Sequence, residues 1–115
     1  MVIARSLTDI VDHQQDGATF QLRMLPHRTM LRLADLSDSH RIELMLRAGL
    51  AGWSGITNAD GSVLDCATKT AVIEGVSVTD ALTLDCFESL PFSLLGDLST
   101  AILKANNLMN EEVGN

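Results

Sequence analysis

The stretch LPFSLLGDLSTAILKANNLMNEE, residues 90–112, decides the fold because it carries the most regular apolar pattern in the chain. Its apolar positions follow spacings of three and four residues: Leu94, Leu95, Leu98, Ala101, Ile102, Ala105, Leu108 and Met109. This spacing places them on one side of a helix, and Pro91 suits a first helical turn. We therefore predict that the longest helix is C-terminal. Its apolar stripe must be buried in the domain core, in an oligomer or against a partner.

Upstream of this helix, the stretch GLAGWSGITNADGSVLD, residues 49–65, combines four glycines with the single tryptophan. Gly49 and Gly52 favour the end of a helix that begins near residue 38, since glycine accepts the left-handed conformation at a helix C-terminus. The dipeptide Asp60-Gly61 strongly favours a turn, here between two short extended segments. Trp53 then has two interpretations: it anchors the turn onto the core, or it is a partly exposed contact for another molecule.

The other segments add short strands and helices around this centre. Residues 18–25 alternate apolar and polar side chains and end at Pro26, which predicts a half-buried strand. Residues 27–35 form a short helix candidate, and residues 70–80 a strand or hairpin. For residues 82–91 we favour a short helix over a strand. Residues 13–17 are interpreted as a loop.

Together these elements predict an α+β fold that is mainly α. Short β elements near residues 18–25 and 52–78 pack with about four helices, of which the C-terminal one is longest. The length of 115 residues fits one domain, residues 1–115, with loosely ordered ends at 1–17 and 110–115.

The net charge of −7 is unevenly distributed. All six arginines lie between Arg5 and Arg47, whereas residues 51–115 carry nine acidic residues against Lys69 and Lys104. An acidic half disfavours binding to nucleic acid and to anionic membranes, because both need clustered Lys and Arg. No apolar run approaches the roughly 20 residues of a membrane span. Without a long apolar segment at the start, we expect a cytosolic protein.

The sequence contains no pattern typical of an active site. The NADG turn lacks oxygen ligands at the first and last positions of a calcium loop, which would be Ile56 and Ala67. Cys66 and Cys86 do not pair with any histidine at zinc-binding spacing, so they are interpreted as small core residues. Ser54 in GWSG is not in a nucleophile elbow. We expect a non-enzymatic protein without a metal or cofactor.

From about residue 18 to residue 115, the order of motifs resembles the small tail assembly chaperones of long-tailed bacteriophages. The resemblance lies in FQLRMLP, in LRAGLAGWSGI with its tryptophan, in the turn NADGSV, in ESLP and in the final helix before NEEVGN. Its firmest points are Trp53, Gly61 and the step from Leu90 to Pro91. The segment CATKTAVIEGVSVTDALTL is longer than the family pattern.

The resemblance implies a role in virion assembly in the host cytoplasm. Such chaperones bind the tape measure protein, keep it soluble and help to recruit tail tube subunits. We hypothesise that the partner contacts Trp53, Leu94, Leu98, Ile102 and Leu108, and a homo-oligomer is possible. The alternative is a structural phage component, such as a head-tail joining or tail-completion protein that forms a ring.

Overall fold

The computed structural model describes residues 1–2, 4 and 6–114, with side chains as far as residue 106. Along this part of the chain the strands and helices are β1 Ile10–Gln15, β2 Ala18–Arg23, α1 His27–Asp35, α2 Asp38–Gly49, β3 Leu50–Ser54, β4 Thr68–Ile73, β5 Val76–Leu82, α3 Leu84–Ser89 and α4 Phe92–Gly114. The strands form a three-stranded antiparallel sheet in the order β1-β2-β3 and a separate hairpin of β4 and β5.

Both hairpins turn on an acidic residue followed by glycine. Asp16 and Gly17 join β1 to β2 with φ angles of 52° and 82°, and Glu74 and Gly75 join β4 to β5 with 50° and 80°. Two successive positive φ angles define the type I′ turn, whose twist matches that of the flanking strands. The turn fixes the register of the first hairpin, with Gln15 opposite Ala18.

The core is one cluster shared by both sheets and the helices. Most of its fully buried side chains come from β2, α2, β3, β5 and α4, among them Phe20, Leu44, Leu46, Leu50, Leu82, Leu98 and Ile102. Helix α2 packs against both α4 and β5, and α4 also contacts β2. The two helices therefore cover one face of the three-stranded sheet and connect it to the second hairpin.

Arginine side chains join the elements through backbone carbonyls. Arg23 on β2 donates to the Thr79 carbonyl on β5, and Arg47 on α2 donates to the carbonyl of Leu82 at the end of β5. Arg41 donates to two carbonyls at the end of α1, those of Leu33 and Leu36. A charged donor makes a stronger hydrogen bond than a neutral one. These arginines thus stabilise the packing of neighbouring elements.

The prediction of a mainly α fold is wrong. The described part of the chain has five strands in two antiparallel sheets beside its four helices, which makes it a mixed α+β fold. Part of the error comes from residues 13–17, interpreted as a loop, which are instead the end of β1 and a two-residue turn. Polar residues on both faces of β1 hide the alternation by which a strand is recognised.

Candidate functional site

Trp53 lies on β3 and holds the loop that follows it. Its ring meets the ring of Phe20, the residue opposite it on β2, with centroids 6.4 Å apart and planes at 70°. The indole Nε1 donates a hydrogen bond of 2.9 Å to the carbonyl of Leu64. Trp53 is half-buried. These contacts support the interpretation of Trp53 as an anchor, and a direct role in partner binding stays a prediction.

The NADG turn is closed by its own hydrogen bonds. Ser62 donates both its backbone N–H, at 2.9 Å, and its hydroxyl, at 2.6 Å, to one carboxylate oxygen of Asp60. These bonds lower the pKa of the Asp60 carboxyl below its ordinary value. Among the residues that the structure describes, no group of three or more His, Cys, Asp or Glu side chains is placed to hold a metal ion.

Cys66 lies in the connection between β3 and β4, and Cys86 on α3 makes hydrogen bonds to that connection. The Cys86 thiol accepts from the backbone N–H of Ala67 at 3.3 Å and donates to the carbonyl of Asp65 at 3.5 Å. The pKa of the Cys66 thiol is raised to about 11, mainly by burial and in smaller part by the nearby Cys86. Because the thiolate is the reactive form, Cys66 is a poor nucleophile at neutral pH.

We therefore expect Cys66 to react slowly with iodoacetamide in the folded protein. Thiolate is the attacking species, so the alkylation rate should keep rising up to about pH 11, the pKa of Cys66. In the unfolded chain the rise should level off near the ordinary cysteine value of about 8.5. Peptide mass spectrometry after timed alkylation separates Cys66 from Cys86. A rate that levels off near pH 8.5 in the folded protein would contradict the buried environment.

Three of the hypothesised contact residues on α4 face inward. Leu98 and Ile102 are fully buried, and Leu94 retains 8% of its exposure. Leu108 lies outside the residues whose side chains are described. In this structure Leu94, Leu98 and Ile102 belong to the core and do not form a surface.

An open groove lies instead between β1 and the neighbouring side of α4. It has a volume of about 660 Å³, and its floor includes Leu22 of β2. Its walls include side chains from the two elements: Val11, His13 and Gln15 on β1, and Asp97, Ala101 and Ala105 on α4. Since Val11, His13 and Gln15 lie opposite the buried Leu22, Phe20 and Ala18, they share the inner face of the sheet.

Polar contacts join the two walls of the groove at the turn between β1 and β2. Gln15 donates to the Asp97 carboxylate at 2.8 Å, and its side-chain oxygen lies 3.0 Å from His13 Nε2. Towards the start of β1 the lining becomes apolar, and Val11 is 37% exposed there. The groove therefore combines an apolar part with a polar, acidic part.

Sequence reasoning missed this groove because it missed β1. A signal was present: Asp16-Gly17 directly precedes the alternating residues 18–23, which is the pattern of a two-residue hairpin turn with a strand on each side. The half-buried Ala101 and Ala105 were assigned to the apolar stripe of the last helix. Only the packing of β1 shows that they line a groove.

Comparisons with protein-family models, curated proteins and solved structures found no match to this chain. Within the described residues, no helix has both the length and the apolar character needed to cross a membrane.

Proposed function

We propose that this protein is a non-enzymatic tail assembly chaperone of a long-tailed bacteriophage. In this role it binds the tape measure protein and helps to recruit tail tube subunits in the host cytoplasm. The observation that carries the proposal is the open groove between β1 and α4, which has an apolar part and a polar, acidic part and is accessible to another protein. The resemblance of residues 18–115 to that family identifies the expected partner.

The placement of the resembling motifs is compatible with this role. LRAGLAGWSGI runs from α2 into β3 and brings Trp53 against Phe20, while ESLP leads from α3 into α4. Leu46, Leu50 and Leu90 of these two stretches belong to the core. The long apolar helices of a tape measure protein would aggregate when free, so a chaperone must cover them and remain soluble itself. A net charge of −7 favours that solubility.

Co-expression tests the proposed function. The partner would be a very large helical protein encoded by a neighbouring reading frame. We expect most of that partner to stay in the soluble fraction when this protein is present and to precipitate when it is absent. Purification through a tag on the partner should recover both chains. An equal soluble fraction with and without this protein would contradict the proposal.

A measurement of molar mass distinguishes the chaperone role from the alternative role as a structural component. A ring-forming joining or completion protein should form a stable closed oligomer alone, since its function is to assemble. Light scattering during gel filtration of the isolated protein reports the molar mass directly. A stable ring with no effect on the partner's solubility would favour the structural component.

A further inference from the structure

The groove is a place where the sheet extends beyond the helices that cover it. Helix α4 packs against β2, and α2 packs against β2 and β3. Strand β1 is the outer strand of this sheet, and the groove opens between it and α4. Side chains on the inner face of β1 remain accessible, with Val11 37% exposed and His13 and Gln15 half-buried. One more helix beside α4 would cover this face.

The dimensions of the groove suit a short helical segment. From Asp97 to Ala105 the wall formed by α4 is about 12 Å long, at 1.5 Å per residue, which corresponds to somewhat more than two helical turns. Ala101 and Ala105 are four residues apart and present only methyl groups to the groove. Small side chains at such positions allow another helix to approach closely.

Charge decides what kind of helix fits. Two exposed acidic residues border the groove: Asp97 lines it from α4, and Asp12 lies at its rim on β1, where it alternates with the inward-facing Val11 and His13. Asp9 and Asp16 flank β1 and are also exposed. Lys104 is the one lysine or arginine in the described lining. An apolar helix bordered by basic residues would therefore be attracted to this site.

The chain itself supplies no suitable occupant among its described residues. Leu7 and Thr8, from the segment before β1, line a different cavity beside β5. The occupant should also carry basic residues, and four arginines of this chain already donate to backbone carbonyls of their own fold: Arg23, Arg32, Arg41 and Arg47. Two copies would each bring a charge of −7, so self-association through this acidic groove is opposed.

We propose that the groove between β1 and α4 binds an amphipathic helix of another protein, with an apolar stripe bordered by Lys and Arg. This inference rests on the proposed function, because it identifies the surface through which the chaperone would hold its partner. The apolar stripe packs on Val11, Ala101 and Ala105. The basic borders lie near Asp12 and Asp97.

A model peptide tests the groove without the natural partner. The probe is a peptide of about 18 residues, five helical turns, with a leucine stripe bordered by lysines. A second peptide has the same stripe bordered by glutamates. We expect the lysine peptide to bind and to shift the backbone NMR signals of residues 10–15 and 97–105. Shifts centred on other residues, or equal binding of the glutamate peptide, would overturn the proposal.

Two pairs of variants separate the groove from the general charge of the protein. Asp12→Lys with Asp97→Lys should weaken binding of the lysine peptide at least tenfold, or about 1.4 kcal/mol. Asp65→Lys with Glu88→Lys makes the same charge change at exposed residues outside the groove lining, and should weaken binding by no more than about twofold. Equal weakening by the two pairs would mean that charge alone attracts the peptide, and would overturn the proposal.

A second comparison tests the apolar contact. Val11→Ser removes an apolar side chain from the groove, whereas Val72→Ser makes the same change at the 74% exposed Val72 of β4. Only Val11→Ser should weaken peptide binding, by several-fold. Without peptide, the NMR signals of residues 10–15 and 97–105 should not change with protein concentration. A change would place a second copy of the protein in the groove and contradict the proposal.

The outcomes for the groove and for the chaperone role can be told apart. If Asp12→Lys with Asp97→Lys leaves the co-expressed tape measure protein soluble, another surface holds it. The proposed function then stands and the groove proposal fails. If the peptide binds as expected and the co-expressed partner still precipitates, the groove binds basic helices and the chaperone role is wrong.

Discussion

Replacing Asn106 with alanine is expected to lower the free energy of unfolding by about 3 kcal/mol. Asn106 is fully buried on α4, where its side-chain oxygen accepts from the Leu25 N–H at 2.7 Å. Its amide nitrogen donates to the carbonyls of Arg23, at 3.3 Å, and Ile102, at 2.9 Å. The variant loses all three bonds while the backbone groups stay in the interior. Each such loss costs about 1–3 kcal/mol. We expect a total near the lower end of the sum, about 3 kcal/mol, because the surrounding groups shift and replace part of the lost bonding.

Chemical denaturation followed by Trp53 fluorescence measures this loss, and Thr100→Ala provides the control. Thr100 is exposed on the same helix and donates its hydroxyl only to the Gly96 carbonyl one turn earlier. Its replacement should change the free energy of unfolding by less than about 0.5 kcal/mol. A loss for Asn106→Ala as small as that of the control would mean that the Asn106 bonds do not hold α4 to β2.

The variant Asn106→Asp adds a pH dependence of known sign. A carboxylate in this interior position keeps the Leu25 N–H on one oxygen, but its other oxygen faces two carbonyl oxygens. Burial and these two carbonyls outweigh the single donor, so the folded state favours the protonated form and raises the pKa of the carboxyl. In the unfolded chain that pKa is about 3.9. The variant should therefore be least destabilised below about pH 4, and lose stability as pH rises towards the folded pKa. A pH-independent difference from the wild type would contradict this environment.

Sequence periodicity predicted α4 well, but not the role of each of its faces. Leu94, Leu98 and Ile102 follow the helical spacing, and they face the core. The same pattern continues through Ala101 and Ala105, which face the groove beside β1. A three-and-four spacing shows that a side of a helix is apolar, but not which neighbour covers it. Asn106 interrupts the stripe and could not be recognised as a core residue, since its partners are backbone groups of β2, of the segment that follows β2, and of α4.

The clustering of arginines in the first half of the sequence also has a structural explanation. Arg23, Arg32 and Arg47 each donate to a carbonyl of the second hairpin, on Thr79, Glu74 and Leu82. The sequence showed their charge but not their acceptors, because a backbone carbonyl carries no residue signature.

Replacing Gly49 with alanine is expected to cost about 1–3 kcal/mol, because the new methyl group would overlap a core side chain. Gly49 is the last residue of α2 and lies directly against Ile102 of α4. A Cβ atom at Gly49 would lie 2.7 Å from Ile102 Cγ2 and 2.8 Å from Cδ1. The glycine was predicted as a helix-ending residue, yet it does not have a positive φ angle. Its small size, rather than its flexibility, is what this position requires.

A double-mutant cycle separates the overlap from the loss of glycine itself. Ile102→Ala alone should cost about 2–5 kcal/mol through the cavity that it leaves. In the double variant the alanine at position 49 enters that space, so the combined cost should be about 1–2 kcal/mol less than the sum.

Gly96→Ala is the matched control on α4: a Cβ there meets nothing within 4 Å. It should raise the free energy of unfolding by about 0.5–1 kcal/mol, since alanine favours the helix. If both glycine variants shifted stability in the same direction, close packing of α2 on α4 would not explain Gly49.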